Sequence, residues 1–336
     1  MIKEAINLVI QNIGLSEAEM AETMNEIMEG KATDAQIGSF LTALRIKGET
    51  IEEITGAARI MRDKATKIKA PQGVIDTCGT GGDMSGTFNI STTTALVVAA
   101  AGVPVAKHGN RSVSSQSGSA DVLEALGVKI DLEPQKVEQC LFETNFAFLF
   151  APLFHPAMKF AIGPRREIGI RTIFNILGPI TNPAGAKRQM LGVFSSKLTE
   201  PLASVLANLG TDDAMVVHGE DGLDEITLCN ATRVSRTRNG KVESFYITPE
   251  EFGFSIRDRK ELAGGDKAAN AAITVSILQG EQGAKRETVL MNAAAAIVVS
   301  GVTDDFVVAR DMAAEAIDSK KAFNKLEEIK RVSNKL

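Results

Sequence analysis

Asp76-Thr77-Cys78-Gly79-Thr80-Gly81-Gly82-Asp83, with Thr87-Phe88-Asn89-Ile90-Ser91-Thr92 close behind it, organises this 336-residue chain. Val74-Ile75 before it reads as a short strand. Ser91 to Ala101 after it runs into an apolar stretch, closes at Gly102 and reads as a buried helix. A strand, a glycine-rich turn and a helix start, in that order, make an anion site. Glycine lets the backbone take positive φ and approach a ligand closely. Successive N–H groups then line one concavity, and the helix N-terminus adds partial positive charge. Ser91 and Thr92 fall at that helix start, where a hydroxyl caps the backbone or reaches a phosphate or a metal. The alternative is a tight turn with no ligand, and three further motifs weigh against it.

Upstream, the spacing predicts four short helices. Ile2, Ile6, Val9, Ile10 and Ile13 share one helical face, and Gly14 ends it. Ser16-x-x-Glu19, Thr33-x-x-Gln36 and Thr50-x-x-Glu53 are capping boxes that open the next three. The basic run Lys64 to Lys69 and Pro71 then reads as a hinge. Downstream, apolar runs alternate with helices: Val103 to Ala106, Val128 to Ile130, Phe146 to Phe150, Leu191 to Phe194 and Ala214 to Val217. That alternation predicts an α/β fold, a mostly parallel central sheet covered by helices, with a small all-helical N-terminal domain. Its ligands gather beyond the C-terminal strand ends, so the glycine loop, Lys107 to Asn110 and His218-Gly219 are expected to share one crevice.

Residues 153–182 interrupt the alternation. Their prolines leave room for short helices around Ala157 to Ala161 and Ile170 to Ile176, expected to pack back on the N-terminal helices. The division expected is 1–70, completed by about 153–182, as the helical domain, and 71–152 with 183–336 as the α/β domain. Residues 230–262 read as strands with a turn at Asn239-Gly240. The C-terminal third is helical, with Met291 to Ser300 buried.

A net charge of −5 argues against a nucleic-acid surface. Three widely spaced cysteines fit a reducing compartment, without a disulfide framework. The longest apolar stretch, Ala95 to Ala106, is too short to span a bilayer and is broken by Gly102 and Pro104. The start of the chain lacks a signal-peptide pattern. The expectation is a cytoplasmic protein that binds neither membrane nor nucleic acid.

The second motif, Lys107 to Asp121, gathers two cations, two glycines and five serines in a polar loop after a strand. These are the donors phosphate oxygens need. The third, Gly163-Pro164-Arg165-Arg166-Glu167 with Gly169-Ile170-Arg171-Thr172, offers Arg165 as a bidentate carboxylate holder. Arg166 and Arg171 read as structural partners of acids such as Glu167, and a salt-bridged hinge stays open as the alternative. The fourth, Asp221-Gly222-Leu223-Asp224-Glu225, places adjacent carboxylates after a glycine turn, a fit for Mg²⁺ bridging to phosphates. No nucleophile is expected: Cys78 has no histidine partner and reads as a buried small residue.

Taken together and in this order, Gly79 to Asp83, Asn89 to Thr92, Lys107 to Asp121, Arg165 to Pro183 and Asp221 to Thr227 make the chain resemble the anthranilate phosphoribosyltransferase family over nearly its whole length. Departures are small: Val113 stands where a small residue is common, and Ile180 where leucine is common. The resemblance implies transfer of a phosphoribosyl group from 5-phosphoribosyl 1-diphosphate (PRPP) to the amine of anthranilate, with Mg²⁺. It implies that Gly79, Gly82, Asp83, Thr87, Asn89, Ile90, Ser91, Thr92, Lys107 and Ser119 bind the donor. The loop residues His108, Gly109, Asn110, Arg111, Ser112, Val113, Ser114 and Ser115 complete that site. It further implies Gly79, Asn110 and Arg165 for anthranilate, and Ser91, Asp224 and Glu225 for Mg²⁺. A homodimer through the helical domain is implied as well. The rival readings are a pyrimidine-nucleoside phosphorylase of the same fold type and a non-catalytic nucleic-acid binder.

Overall fold

The computed structural model describes all residues except Met84 and 113–116. Four helices come first: α1 (Ile2–Ile10), α2 (Glu17–Met28), α3 (Asp34–Lys47) and α4 (Ile51–Lys64). The last three begin on the expected capping boxes, Ser16 with Glu19, Thr33 with Gln36 and Thr50 with Glu53. A side-chain cap of this kind stabilises a helix by about 1 kcal/mol. Glu53 does more than cap. It is fully buried, and its carboxylate also accepts from Leu15 N and Lys47 Nζ, each at 2.9 Å. One cap thereby ties the α1–α2 connection to α4.

The α/β part follows as β1 (Ile75–Gly79), α5 (Ile90–Ala100), β2 (Val105–Gly109), α6 (Ser119–Ala125), α7 (Pro134–Thr144) and β3 (Phe146–Phe150). Next come α8 (Ala151–Phe154), α9 (Lys159–Ile168), α10 (Phe174–Leu177), β4 (Arg188–Gly192), α11 (Thr199–Asn208) and β5 (Asp213–Gly219). A hairpin of β6 (Thr232–Arg238) and β7 (Lys241–Ile247) precedes α12 (Lys267–Leu278), α13 (Ala284–Ser300), α14 (Phe306–Asp318) and α15 (Lys321–Lys335). Among the described residues the strands form one seven-stranded sheet in the order β3-β2-β1-β4-β5-β6-β7. The first five are parallel, and β6 and β7 are antiparallel. Asn239 (φ 52°) and Gly240 (φ 76°) make the hairpin turn, both in the left-handed region such a turn needs.

The chain winds outward from β1 through β2 to β3, then returns to the other side of β1 at β4. The β1–β4 boundary is therefore the point where winding reverses, and the crevice beyond its strand ends is where such sheets hold ligands. Below it lies a core of α5, α13 and the sheet, including fully buried Leu96, Val97, Ala293 to Ala296 and Ile297.

Two local expectations are corrected. Val128 and Ile130 are buried, but the stretch pairs with no strand among the described residues: Lys129 N donates to Ser333 Oγ on α15 at 3.2 Å. In the 153–182 segment one ten-residue helix, α9, runs through Pro164, and residues 169–172 are not helical. Proline costs that helix one ladder bond. Burial of Pro164 and Ala161 offsets the loss, as α9 packs on α2 and α3. On the other side α4 docks on the end of α11, where Arg59 Nη2 and Arg62 Nη1 donate to the carbonyls of Asn208 (2.8 Å) and Leu209 (3.3 Å). Cations at a helix C-terminus are favourably placed.

Candidate active site

Gly79 and Gly192 end β1 and β4 and are register partners, so two adjacent strands stop without side chains at the reversal point. The turn carrying Asp224 rests on this floor. A Cβ on Gly192 would fall on the Asp224 carbonyl, and one on Gly79 would stand 3.1 Å from Asp224 Oδ2. Above the floor the glycine loop closes over Asp224, with Gly81 N donating to its Oδ2 at 3.0 Å. Gly81 (φ 63°) and Gly82 (φ 78°) need the left-handed region that glycine enters freely. The amides of Gly82 and Asp83 have no hydrogen-bond partner among the described residues.

Three carboxylates converge here. Asp224 N lies 3.5 Å from Asp83 Oδ2, and Ser91 N, in the first turn of α5, donates to Glu225 Oε1 at 3.2 Å. The helix N-terminus that the sequence offered to a phosphate thus already faces a carboxylate. Burial, then the Asp83 charge, pushes the Asp224 carboxyl up to about 7. Burial, then Asp224, drives Glu225 well above the usual carboxylate range. The local cation is Lys107, 1 % exposed, whose Nζ donates to the Thr77 carbonyl and to Ser91 Oγ at 3.2 Å. It lies beneath the loop and is shared with buried Asp76, whose carboxyl is pushed up to about 6 by burial.

Hard oxygen donors with an excess of negative charge suit Mg²⁺, which takes one or two carboxylates and keeps waters or phosphate oxygens elsewhere. Among the described residues no group of three or more His, Cys, Asp or Glu side chains closes around one ion. Magnesium does not require such a cage, and Asp224, Glu225 and Ser91 fit it as a partial set.

The other sequence candidates divide by position. Asn89 Nδ2 donates to the Ser117 carbonyl at 3.1 Å, and Ser119 Oγ to the Asn110 carbonyl at 3.3 Å. Thr87 shares a hydroxyl contact of 3.0 Å with Ser85. Ile90 and Thr92 are buried, as the start of α5 turns them inward. His108 is buried too, its ring turned from the crevice with Nδ1 3.0 Å from the Gly178 carbonyl and His155 5.1 Å away. Arg111 faces outward and pairs with Asp121 and Glu124, both at 2.9 Å. Ser112 N joins the same Asp121 at 3.1 Å, and Gly109 ends β2 beside them. Val113, Ser114 and Ser115 lie outside the described residues. His218, expected in the crevice, is buried with Nδ1 2.7 Å from the Val193 carbonyl. Cys78 is a buried thiol, held protonated by burial, between Gln189 and the Pro179 carbonyl.

Arg165 is half-buried on α9 with its Cζ 5.0 Å from the Phe174 ring centroid, and no acid pairs with it among the described residues. Burial lowers its pKa, as expected for a cation without a counter-charge. Arg171, expected to pair with an acid such as Glu167, instead donates to the carbonyl of Gly82 and lies over Phe194. Sequence reasoning also missed Asn292. It accepts from Ile226 N at 3.0 Å and donates to Ile226 O at 2.9 Å, clamping the residue after Glu225. Asn270, which donates to Asn89 Oδ1 at 3.0 Å, was missed as well. An isolated asparagine in a helix gives no sequence signal for either bond.

Known proteins resemble the chain along nearly its whole length. The family described as "Glycosyl transferase family, a/b domain" matches residues 71–323, and "Glycosyl transferase family, helical bundle domain" matches 3–65. Anthranilate phosphoribosyltransferase from Acetivibrio thermocellus is 56% identical over 99% of this chain and 97% of its own. That from Alkaliphilus metalliredigens is 55% identical over 100% and 99%. Among solved structures, the Thermus thermophilus enzyme superposes with a TM-score of 0.92 at 40% identity, covering 98% of this chain and 99% of that one. The Saccharomyces cerevisiae enzyme in complex with PRPP and Mg gives 0.90 at 26% identity, covering 100% and 98%. A further structure of the yeast enzyme holds 4-fluoroanthranilate, at a TM-score of 0.87 and 25% identity over 100% and 99%.

Proposed function

The chain belongs to the anthranilate phosphoribosyltransferase family, and from that premise we propose which of its residues meet each substrate. The reaction moves the 5-phosphoribosyl group of PRPP to the amine of anthranilate, giving N-(5′-phosphoribosyl)anthranilate and pyrophosphate, in tryptophan biosynthesis. The observation that carries the assignment is the glycine loop closed on the acidic turn, Gly81 N to Asp224 Oδ2 at 3.0 Å.

On this reading Gly79, Gly82, Asp83, Thr87, Asn89, Ser91, Lys107 and Ser119 surround the donor. The unpaired amides of Gly82 and Asp83 meet its phosphate oxygens, where backbone N–H groups stabilise charge without reorganising. Lys107 acts from below, holding Thr77 and Ser91 in place while keeping Glu225 within electrostatic reach. Asp224, Glu225 and Ser91 hold Mg²⁺, the cofactor, which when bound offsets the charge of the departing diphosphate. Arg165 takes the carboxylate of anthranilate in its planar fork, and Gly79 and Asn110 complete the acceptor site. The protein's task is to hold a neutral amine in line with C1′ of the ribose, whose ring passes through an oxocarbenium-like state.

We also infer that 1–70 and 153–182 act as one helical domain. Ala161, Ile176 and Ile180 share an apolar cluster with α1 to α4, which supports the grouping. Self-association through that domain is supported by Ile10 and Ile46, 64% and 82% exposed on α1 and α3. A monomer in sedimentation at micromolar concentration refutes it. Among the described residues no helix is long and apolar enough to cross a membrane, and Cys78, Cys140 and Cys229 are free, which fits a reducing cytoplasm. The deciding experiment follows the fluorescence of anthranilate on mixing with PRPP and Mg²⁺. Loss of signal is expected. Phosphorolysis of a pyrimidine nucleoside without donor turnover overturns the assignment.

A further inference from the structure

Arg171 has no acid within ion-pair distance among the described residues, yet it stands at the edge of the donor loop. Gly169 (φ 62°) ends α9 and turns the chain back, so Arg171 reaches across the crevice. Its Nη2 donates to the Gly82 carbonyl, and its Cζ lies 4.4 Å from the Phe194 ring centroid. A side chain on Gly82 would collide with that guanidinium. Phe194 holds the same loop from the other end, its N–H donating to Thr80 Oγ1 at 3.1 Å. Thr80, Gly81 and Gly82 are therefore held in turn by Phe194, Asp224 and Arg171.

The Gly82 carbonyl and the Asp83 N–H belong to one planar trans peptide, so they point in opposite directions. Fixing the carbonyl aims the amide. Without Arg171 this carbonyl has no other partner among the described residues, and two glycines with wide conformational freedom precede the amide.

We propose that Arg171 is a positioning residue for the donor, aiming the Asp83 N–H at the diphosphate by holding the Gly82 carbonyl. It also ties the donor loop to the segment that carries Arg165. The inference rests on the donor assignment made above. Its guanidinium touches the loop and not the substrate.

The test is calorimetric titration of PRPP with Mg²⁺ into the native chain, Arg171→Met and Arg171→Lys, together with both KM values and thermal melts. Arg171→Met is expected to weaken donor binding about tenfold or more, the scale of one charge-assisted hydrogen bond, with the anthranilate KM within about threefold. Arg171→Lys is expected to fall between, since an ammonium reaches a carbonyl but lacks the flat face that stacks on Phe194. No donor binding by the native chain refutes the donor assignment itself. Native binding matched by Arg171→Met refutes the role of Arg171 alone, as do equal rises in both KM values. If Arg171→Met does not fold, Arg171→Lys decides: weaker donor binding at an unchanged melting temperature supports the role, and unchanged binding overturns it.

Discussion

Replacing Arg165 by alanine removes a cation that the protein leaves without a counter-charge. The guanidinium is half-buried, 5.0 Å above Phe174, and paired with no acid among the described residues. A cation–aromatic contact at a half-buried site is worth about 1–2 kcal/mol, so folding should lose little. Binding of anthranilate should lose much more. A charged hydrogen bond contributes roughly 1.5–3 kcal/mol, which converts to about ten- to a hundredfold in KM where KM tracks binding. The donor is met by the Gly79 and Lys107 loops on other strands, so its KM should barely change. Arg165→Lys should recover part of the loss, because a point charge lacks the fork. Initial rates from anthranilate fluorescence, varied in each substrate with the other saturating, measure both values. Equal rises in the two KM values, or none in either, show that Arg165 does not hold the acceptor.

Asp224→Asn combined with Glu225→Gln should raise the Mg²⁺ midpoint for activity on the order of tenfold or more, and calorimetry with Mg²⁺ and donor should show the same shift. An unchanged titration rules these carboxylates out as ligands. Gly192→Ala should push the Asp224 turn off its floor, costing roughly 1–3 kcal/mol in a urea melt and raising the Mg²⁺ requirement with it. Buried His108 and His155 are held neutral, their pKa values lowered by burial to about 3 and about 4. The unfolded chain takes up these protons first, near pH 6.5, so their stability is complete above that pH and drains as pH falls through about 4 and 3. Urea midpoints between pH 7.5 and 5 should fall, and less steeply in His108→Gln/His155→Gln.

What the sequence disclosed is what acts over short separations. The three capping boxes are bonds across three residues, and the strand, glycine turn and helix at Gly79 adjoin one another. The crevice was legible because alternation predicts parallel strands, and parallel strands place their loops at one end. The errors share a cause in distant partners. Val128 to Ile130 has the β-branched texture of a strand, but its backbone meets Ser333 on α15. Arg171 lies four residues from Glu167, yet its partner is Gly82. Lys107 reads as a phosphate-facing cation in a loop after a strand; it lies within β2, and only the closeness of β1 and α5 shows it buried. Pro164 looked like a helix end because packing against α2 and α3 leaves no mark in its own neighbourhood.

The apolar cluster that seals α1 to α4 draws on residues from Ile2 to Val216. A ribosome releases its first members long before its last. Met20, Met24, Phe40 and Leu44 emerge early and wait for Ala161, Ile176, Leu206 and Val216. At about 5–20 residues per second the wait is on the order of ten seconds or more. Until then the part of their apolar surface that later meets α9, α10 and α11 stays in water. A message truncated between the codons for residues 65 and 200 therefore yields a layer without its late partners, a target for chaperones and proteases.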